Sequence, residues 1–121
     1  MKENNGLWSL PGGWVDVDET VATNTVKEAW EEAGVNVEPQ RLAAVMIRDN
    51  RAGHTWIHNI VKIFVLCKSL GGNFVPNLET LDAQYFTEFA LPEICEAKQT
   101  IAQIKLCFRA VKDPNWQTVF G

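Results

Sequence analysis

One domain combining helices with strands is what the sequence of 121 residues predicts, and three observations carry that reading. The length suffices for one hydrophobic core over residues 1–121 but not for two. An acidic stretch between Gly13 and Val35, GWVDVDETVATNTVKEAWEEAGV, has helical spacing. Runs rich in β-branched and aromatic residues, clearest in IVKIFVLC (Ile60–Cys67), read as strands.

Composition narrows the class. Hydrophobic residues at 46% and charged residues at 21% are ordinary for a globular protein. A net charge of −4 leaves no footprint for a nucleic-acid polymer. No apolar run is long enough for a membrane span, and no secretory signal pattern is visible. Cys67, Cys95 and Cys107 are odd in number and far apart in apolar or helical context, which predicts buried thiols in a reducing cytoplasm.

In chain order, Met1 to Gly6 is polar and reads as a frayed start. Leu7 to Leu10 reads as a short strand ended by Pro11-Gly12-Gly13, where two glycines allow turns and close approaches. Thr20 is the expected N-cap of a helix and Gly34 its C-terminal stop. Ala22, Val26, Ala29 and Ala33 mark the expected buried stripe. Glu28, Glu31 and Glu32 fall within about 100° on one side. Like charges so placed repel by a few tenths of a kcal/mol per pair, so the face is either well solvated or binds cations such as Mg²⁺ or Mn²⁺. A calcium loop starting at Asp16 is excluded, because its sixth and twelfth positions are Val21 and Lys27 instead of glycine and glutamate.

Arg41 to Arg48 reads as a strand and Asp49 to Gly53 as a turn. His54 and His58 are four apart, but Thr55 follows the first where a zinc helix needs glutamate. Trp56 to Cys67 therefore reads as a strand, with both histidines at a loop or pocket edge. Gly71-Gly72-Asn73 suggests a hairpin turn into Asn73 to Pro76, followed by a polar loop from Asn77 to Asp82. AQYFTEF (Ala83–Phe89) alternates like a strand, and Leu91-Pro92-Glu93 begins a turn. Thr100 caps a last helix with Ile101, Ile104, Leu106, Phe108 and Val111 on its apolar side, and Asp113-Pro114 ends it. Trp116 and Phe120 in the tail are candidates to dock on the domain or on a partner.

The acidic stretch closely resembles the box of the Nudix hydrolase family. From Gly13 there are five residues, Glu19, seven residues, and then Lys27-Glu28-Ala29-Trp30-Glu31-Glu32-Ala33-Gly34-Val35. Every glycine and glutamate of the family pattern is in place. Lys27 stands where the family has arginine, and Ala29 where it has a bulky aliphatic residue.

The resemblance implies an α+β fold, an α/β/α sandwich with a mixed sheet between helices, and hydrolysis of nucleoside diphosphates linked to another moiety. It implies Glu28, Glu31 and Glu32 as ligands of Mg²⁺, with Mn²⁺ as substitute, a backbone carbonyl near Gly13 beside the cluster, and Glu19 in support. Glu31 and Glu32 would act in catalysis, Lys27 would orient a neighbouring glutamate, and Glu79 is the candidate general base. Trp14, Arg48 and His58 are candidate substrate-pocket residues.

Similarity continues to the terminal Asp113-Pro114-Asn115-Trp116 and points to a bacterial branch of ADP-ribose or CDP-choline pyrophosphatases, which usually dimerise. The family places strand-forming sequence before the segment equivalent to Leu7–Leu10, and only six polar residues stand there. The expectation is a sheet missing N-terminal strand, compensated by a homodimer. A Nudix-like nucleotide-binding or regulatory domain with weak turnover is the alternative. A purely structural acidic domain would leave the spacing of the glutamates to Gly13 and Glu19 unexplained.

Overall fold

The framework is a long antiparallel ladder in a computed structural model that describes residues 1–47, 60–77, 80–96 and 98–121. Strand β2 (Val35–Ile47) pairs with β3 (Val61–Gly72), and the short β5 (Val119–Phe120) joins the other edge of β2 in parallel, so this sheet of three strands is mixed. A second pair, β1 (Lys2–Glu3) with β4 (Thr80–Asp82), is antiparallel. Helices α1 (Val21–Ala33) and α2 (Ile101–Lys112) pack on the ladder, giving an α+β fold.

Strand β2 begins earlier than the expected Arg41, directly after the glycine that stops α1. Pro39 did not suggest a strand interior, yet the ladder register shifts between Pro39 and Arg41. A residue without an N–H is tolerated at such an irregularity because no ladder bond is required of it. Gly71 and Gly72 are not a hairpin turn; they close β3 opposite Asn36 and Val35.

The main core cluster is Ala43, Ala44, Phe64, Leu66 and Ala110, with Met46, Leu106, Cys107 and Trp116 packed against it. Small residues on both β2 and α2 let helix and strand approach closely. The C-terminal end of α2 is fastened to β2 by Arg41, whose guanidinium donates to Asp113 O (2.9 Å) and Ala110 O (2.6 Å). Trp116 docks on the domain, as one of its two expected roles, with Nε1 donating to Ala43 O at 2.9 Å. Phe120 stays exposed.

Several local expectations are corrected. Met1 to Gly6 is not frayed, because Lys2 and Glu3 pair with β4. Of Leu7–Leu10, only Trp8 takes part in bridges, antiparallel to Lys2 and parallel to Ile94. Ala83–Phe89 is not a strand. There Asp82 accepts the Ala83 N–H and the Gln84 Nε2–H, a local bonding pattern that competes with a ladder. On α2, Ile104 and Ala110 are buried, as is Gln103, whereas Ile101 and Val111 are 40% and 63% exposed. Residues spaced 103, 104, 107 and 110 follow the contact stripe, and the two exposed residues fall outside it. Cys95 is buried but Cys67 is exposed; burial pushes the Cys107 thiol up to about 11. No helix among the described residues is long and apolar enough to cross a membrane.

Gly34 and Gly72 meet where α1 runs into β2. A Cβ on Gly72 (φ +152°) would lie 2.1 Å from Gly34 O, and one on Gly34 (φ +67°) would lie 2.5 Å from Asn73 O. Both positions combine strain with backbone clash, so Gly72→Ala is expected to lose at least about 2 kcal/mol of unfolding free energy. Urea titration with circular-dichroism detection checks this, and a loss under about 0.5 kcal/mol would contradict it.

Candidate functional site: a loop clamped over an acidic helix

Helix α1 starts on a reciprocal cap: the Thr23 N–H donates to Thr20 Oγ1 (3.1 Å) and the Thr20 N–H to Thr23 Oγ1 (2.9 Å). It ends on Gly34, whose N–H reaches Trp30 O and Ala29 O from a left-handed conformation. Both ends are as the sequence predicts. The inner stripe differs: Ala29 and Ala33 are buried with Asn24, whereas Ala22 and Val26 are exposed.

The reason for a buried asparagine is the loop before the helix. Asn24 donates through Nδ2 to Trp14 O (3.2 Å), and its Oδ1 accepts the Asp16 N–H (3.4 Å). An amide supplies both a donor and an acceptor, so one side chain satisfies two backbone groups of the loop. Nearer the helix C-terminus, the Gly12 N–H donates to Glu32 Oε2 at 2.7 Å. Gly13 lies directly against Glu28: a Cβ there would be 3.0 Å from Glu28 Oε1. The loop thus runs back along α1, over Glu32, Glu28 and Asn24 in turn.

Lys27 forms an ion pair with Asp16. This contact latches the loop to the helix. The hydrogen bond that Lys27 donates to Asp16 holds its ammonium above the ordinary lysine value, with Glu31 and Glu19 adding smaller contributions. Glu19 is partly buried at the loop end, and its N–H donates to Asp16 O at 3.0 Å. Trp14 is exposed in the same loop. Arg48, His54, His58 and Glu79 lie outside the described residues.

Glu28 and Glu32 are partly buried under the loop, whereas Glu31 is exposed. Among the described residues no three carboxylate, imidazole or thiolate groups converge as a metal cage. Of the three expected ligands, the loop engages Glu28 and Glu32, and Glu31 faces solvent. Carboxylates of this kind suit Mg²⁺. That ion keeps several waters and is commonly held by one or two carboxylates together with substrate phosphates. The side chain absent from Gly13 leaves room at Glu28 that a Cβ would fill.

Sequence reasoning missed Asp16 and Asn24 as the loop's fasteners. A polar residue inside the stripe that includes Ala29 and Ala33 was the available signal for Asn24.

A glycine loop clamped on a helix that carries three glutamates is the arrangement at this site. The NUDIX domain model matches residues 1–107, and the chain belongs to that family. It is similar to YjhB of Bacillus subtilis, provisionally named an ADP-ribose pyrophosphatase, with 33% identity over 98% of this chain and 57% of that protein. A MutT-like protein of Streptomyces ambofaciens is 31% identical over 87% of this chain and 62% of its own length. The chain therefore spans about three-fifths of these curated relatives. Among solved structures, an ADP-ribose pyrophosphatase from Streptococcus suis superposes with a TM-score of 0.86 at 43% identity, covering 99% of this chain and 86% of that one. A UDP-X diphosphatase gives 0.79 at 31% identity, covering 93% and 55%.

If Lys27 acts as a latch, arginine should preserve it. Lys27→Arg is expected to keep kcat within about twofold, whereas Lys27→Ala lowers it at least about threefold by loosening the loop beside Glu28. Steady-state kinetics on both variants check this. Equal rates for alanine and lysine would reduce Lys27 to a solvated surface charge.

Proposed function

We propose that the chain hydrolyses the pyrophosphate linkage of a nucleoside diphosphate joined to a second moiety, in an ADP-ribose-like or CDP-choline-like substrate, with Mg²⁺ as cofactor and Mn²⁺ as substitute. The observation that carries this is the Glu28–Glu32 pair held under a loop whose Gly12 N–H donates to Glu32 and whose Gly13 abuts Glu28. Glu28 and Glu32 would hold the cation, with Glu31 next to them as a further carboxylate. Bound there, the cation would offset phosphate charge and activate or position water. The chain's own part is to keep the acids oriented and spaced. The Gly12 N–H orients Glu32, Gly13 brings no Cβ against Glu28, and Asp16–Lys27 pins the loop. Glu19 is proposed to support the loop end, Glu79 is proposed as general base, and Trp14, Arg48 and His58 are proposed as substrate-pocket residues. Relatives named for ADP-ribose and UDP-X substrates support the diphosphate class. A cytoplasmic setting accords with three cysteines that form no disulfide.

A nucleotide-binding domain with weak turnover is the second reading, favoured by the absence of a three-group metal cluster among the described residues. A panel of ADP-ribose, CDP-choline, NADH and nucleoside triphosphates, each with and without Mg²⁺ or Mn²⁺ and with products resolved, separates the two. Hydrolysis of a diphosphate-linked substrate that stops on chelation is expected; no turnover of any compound with either ion would leave the binding reading. Glu28→Gln and Glu32→Gln should each lower kcat at least about a hundredfold with folding retained. A loss below about fivefold in both would remove them from the cation site.

The assembly proposed is a homodimer. Val61, Ile63 and Leu70 are exposed on β3, whose one strand partner among the described residues is β2. The melting temperature should therefore rise with protein concentration. A monomer by light scattering with a concentration-independent melting temperature would refute the dimer.

A further inference from the structure

Beside Glu32, a polar recess of about 490 Å³ is lined by Glu3, Asn4, Asn5, Lys98 and Met1 as well as by Glu32 itself. Its walls come from segments far apart in sequence. One is the tight turn after β1, closed by the Gly6 N–H on Glu3 O and the Glu3 N–H on Leu7 O, both 2.9 Å. The other is the turn before α2, where the Lys98 N–H donates to Cys95 O (3.0 Å) and the Cys95 N–H to Trp8 O (2.8 Å). Trp8 thus ties the second wall to the stretch leading into the loop over α1.

Lys98 forms an ion pair with Glu3 across these walls. The Glu3 side chain is only 14% exposed, and that of Lys98 is 51% exposed. Glu3 Oε2 is buried without a hydrogen-bond partner, so Lys98 is the neighbour that compensates this carboxylate. A buried, singly partnered acid holds a flexible lysine in place, because letting go would leave its charge uncompensated. An ammonium has three donors, and Glu3 takes one. Burial works against the Lys98 charge, but the hydrogen bond and the charges of Glu3 and Glu32 outweigh it and raise its pKa.

We propose that Lys98 is a substrate-binding residue, positioned by Glu3, whose ammonium takes a phosphate oxygen of a diphosphate lying between it and Glu32. The inference rests on the hydrolase reading above, and it answers a charge problem in that reading. The chain carries a net −4, and its box concentrates glutamates where an anionic diphosphate must sit. Lys27 is committed to Asp16, on the loop. Among the described residues, Lys98 is the one lysine or arginine lining the recess beside Glu32. A lysine there acts as a point charge on phosphate, with donors free to rotate toward it.

Two measurements test this. The first is made on the wild-type protein without metal: acetylation of Lys98 by acetic anhydride, read by peptide mass spectrometry, with and without millimolar inorganic pyrophosphate. At least about threefold protection is expected for an ammonium engaged by phosphate; equal labelling overturns the proposal. The second is kinetic. Lys98→Gln should raise KM about tenfold or more with a smaller change in kcat, and Lys98→Arg should restore KM to within about threefold. Glu3→Gln, which frees the ammonium without removing it, should raise KM less than Lys98→Gln. A purely structural ion pair would lower the melting temperature of Lys98→Gln while leaving its KM within about twofold, and that result also overturns the proposal. Should Lys98→Gln not fold, the acetylation result decides alone. If the wild-type protein hydrolyses no compound in the panel, the hydrolase reading fails, and the acetylation still reports whether Lys98 binds pyrophosphate.

Discussion

The junction of Gly34 and Gly72 is the constraint on which the placement of the site depends. Helix α1 does not pass through a linker before the sheet begins. It stops in a left-handed glycine, and β2 starts at the next residue, with Gly72 of β3 packed against that same turn. A side chain at either position would separate helix from ladder. Because neither exists, the acidic helix is fixed to the end of the longest strand pair, and its carboxylates inherit the rigidity of the sheet. The chain that precedes the helix must then come back over it, which it does through Gly12 and Gly13.

That return solves an electrostatic difficulty. Glutamates at 28, 31 and 32 repel one another and would favour a loosened helix or a solvated, mobile face. The backbone N–H of Gly12 gives Glu32 a fixed donor, and Asp16 draws Lys27 onto the loop so that the cation stays near Glu31 and Glu19. Glu32 is thereby ordered by a backbone donor, and the loop is held against the helix by an ion pair that does not draw on the box glutamates.

How much of this was legible in the sequence follows from how local each feature is. Thr20 and Gly34 act on backbone groups within four residues, and both ends of α1 were read correctly. The spacing of Gly13, Glu19 and the box glutamates is also a one-dimensional pattern, and it carried the family before any fold was in view. The ladder was legible in kind from its β-branched residues, but its limits were not, because Pro39 and Gly71-Gly72 look like breakers unless the register of the partner strand is known. Ala83–Phe89 shows the opposite failure. Its alternation is real, but alternation makes a strand only where a neighbour offers a ladder, and Asp82 claims the first N–H of the segment instead.

The polar pairs were the least legible part, and distance along the chain explains why. Asn24 bonds to the loop ten and eight residues away, Lys27 to Asp16 eleven away, and Lys98 to Glu3 from the opposite end of the chain. Each residue taken alone resembles a solvated surface group. Their meaning comes from what the fold opposes to them: a buried face under a loop for Asn24, a loop carboxylate for Lys27, a half-desolvated acid for Lys98. The two lysines illustrate how one residue type divides its duties around one helix. Lys27 is a partly exposed cation spent on loop geometry, and its partner Asp16 is more exposed still. Lys98 pairs with a carboxylate that has little access to water, so its ammonium is held in the recess beside Glu32. A diphosphate lying between Lys98 and Glu32 would meet there a positive charge that the acidic helix face does not supply.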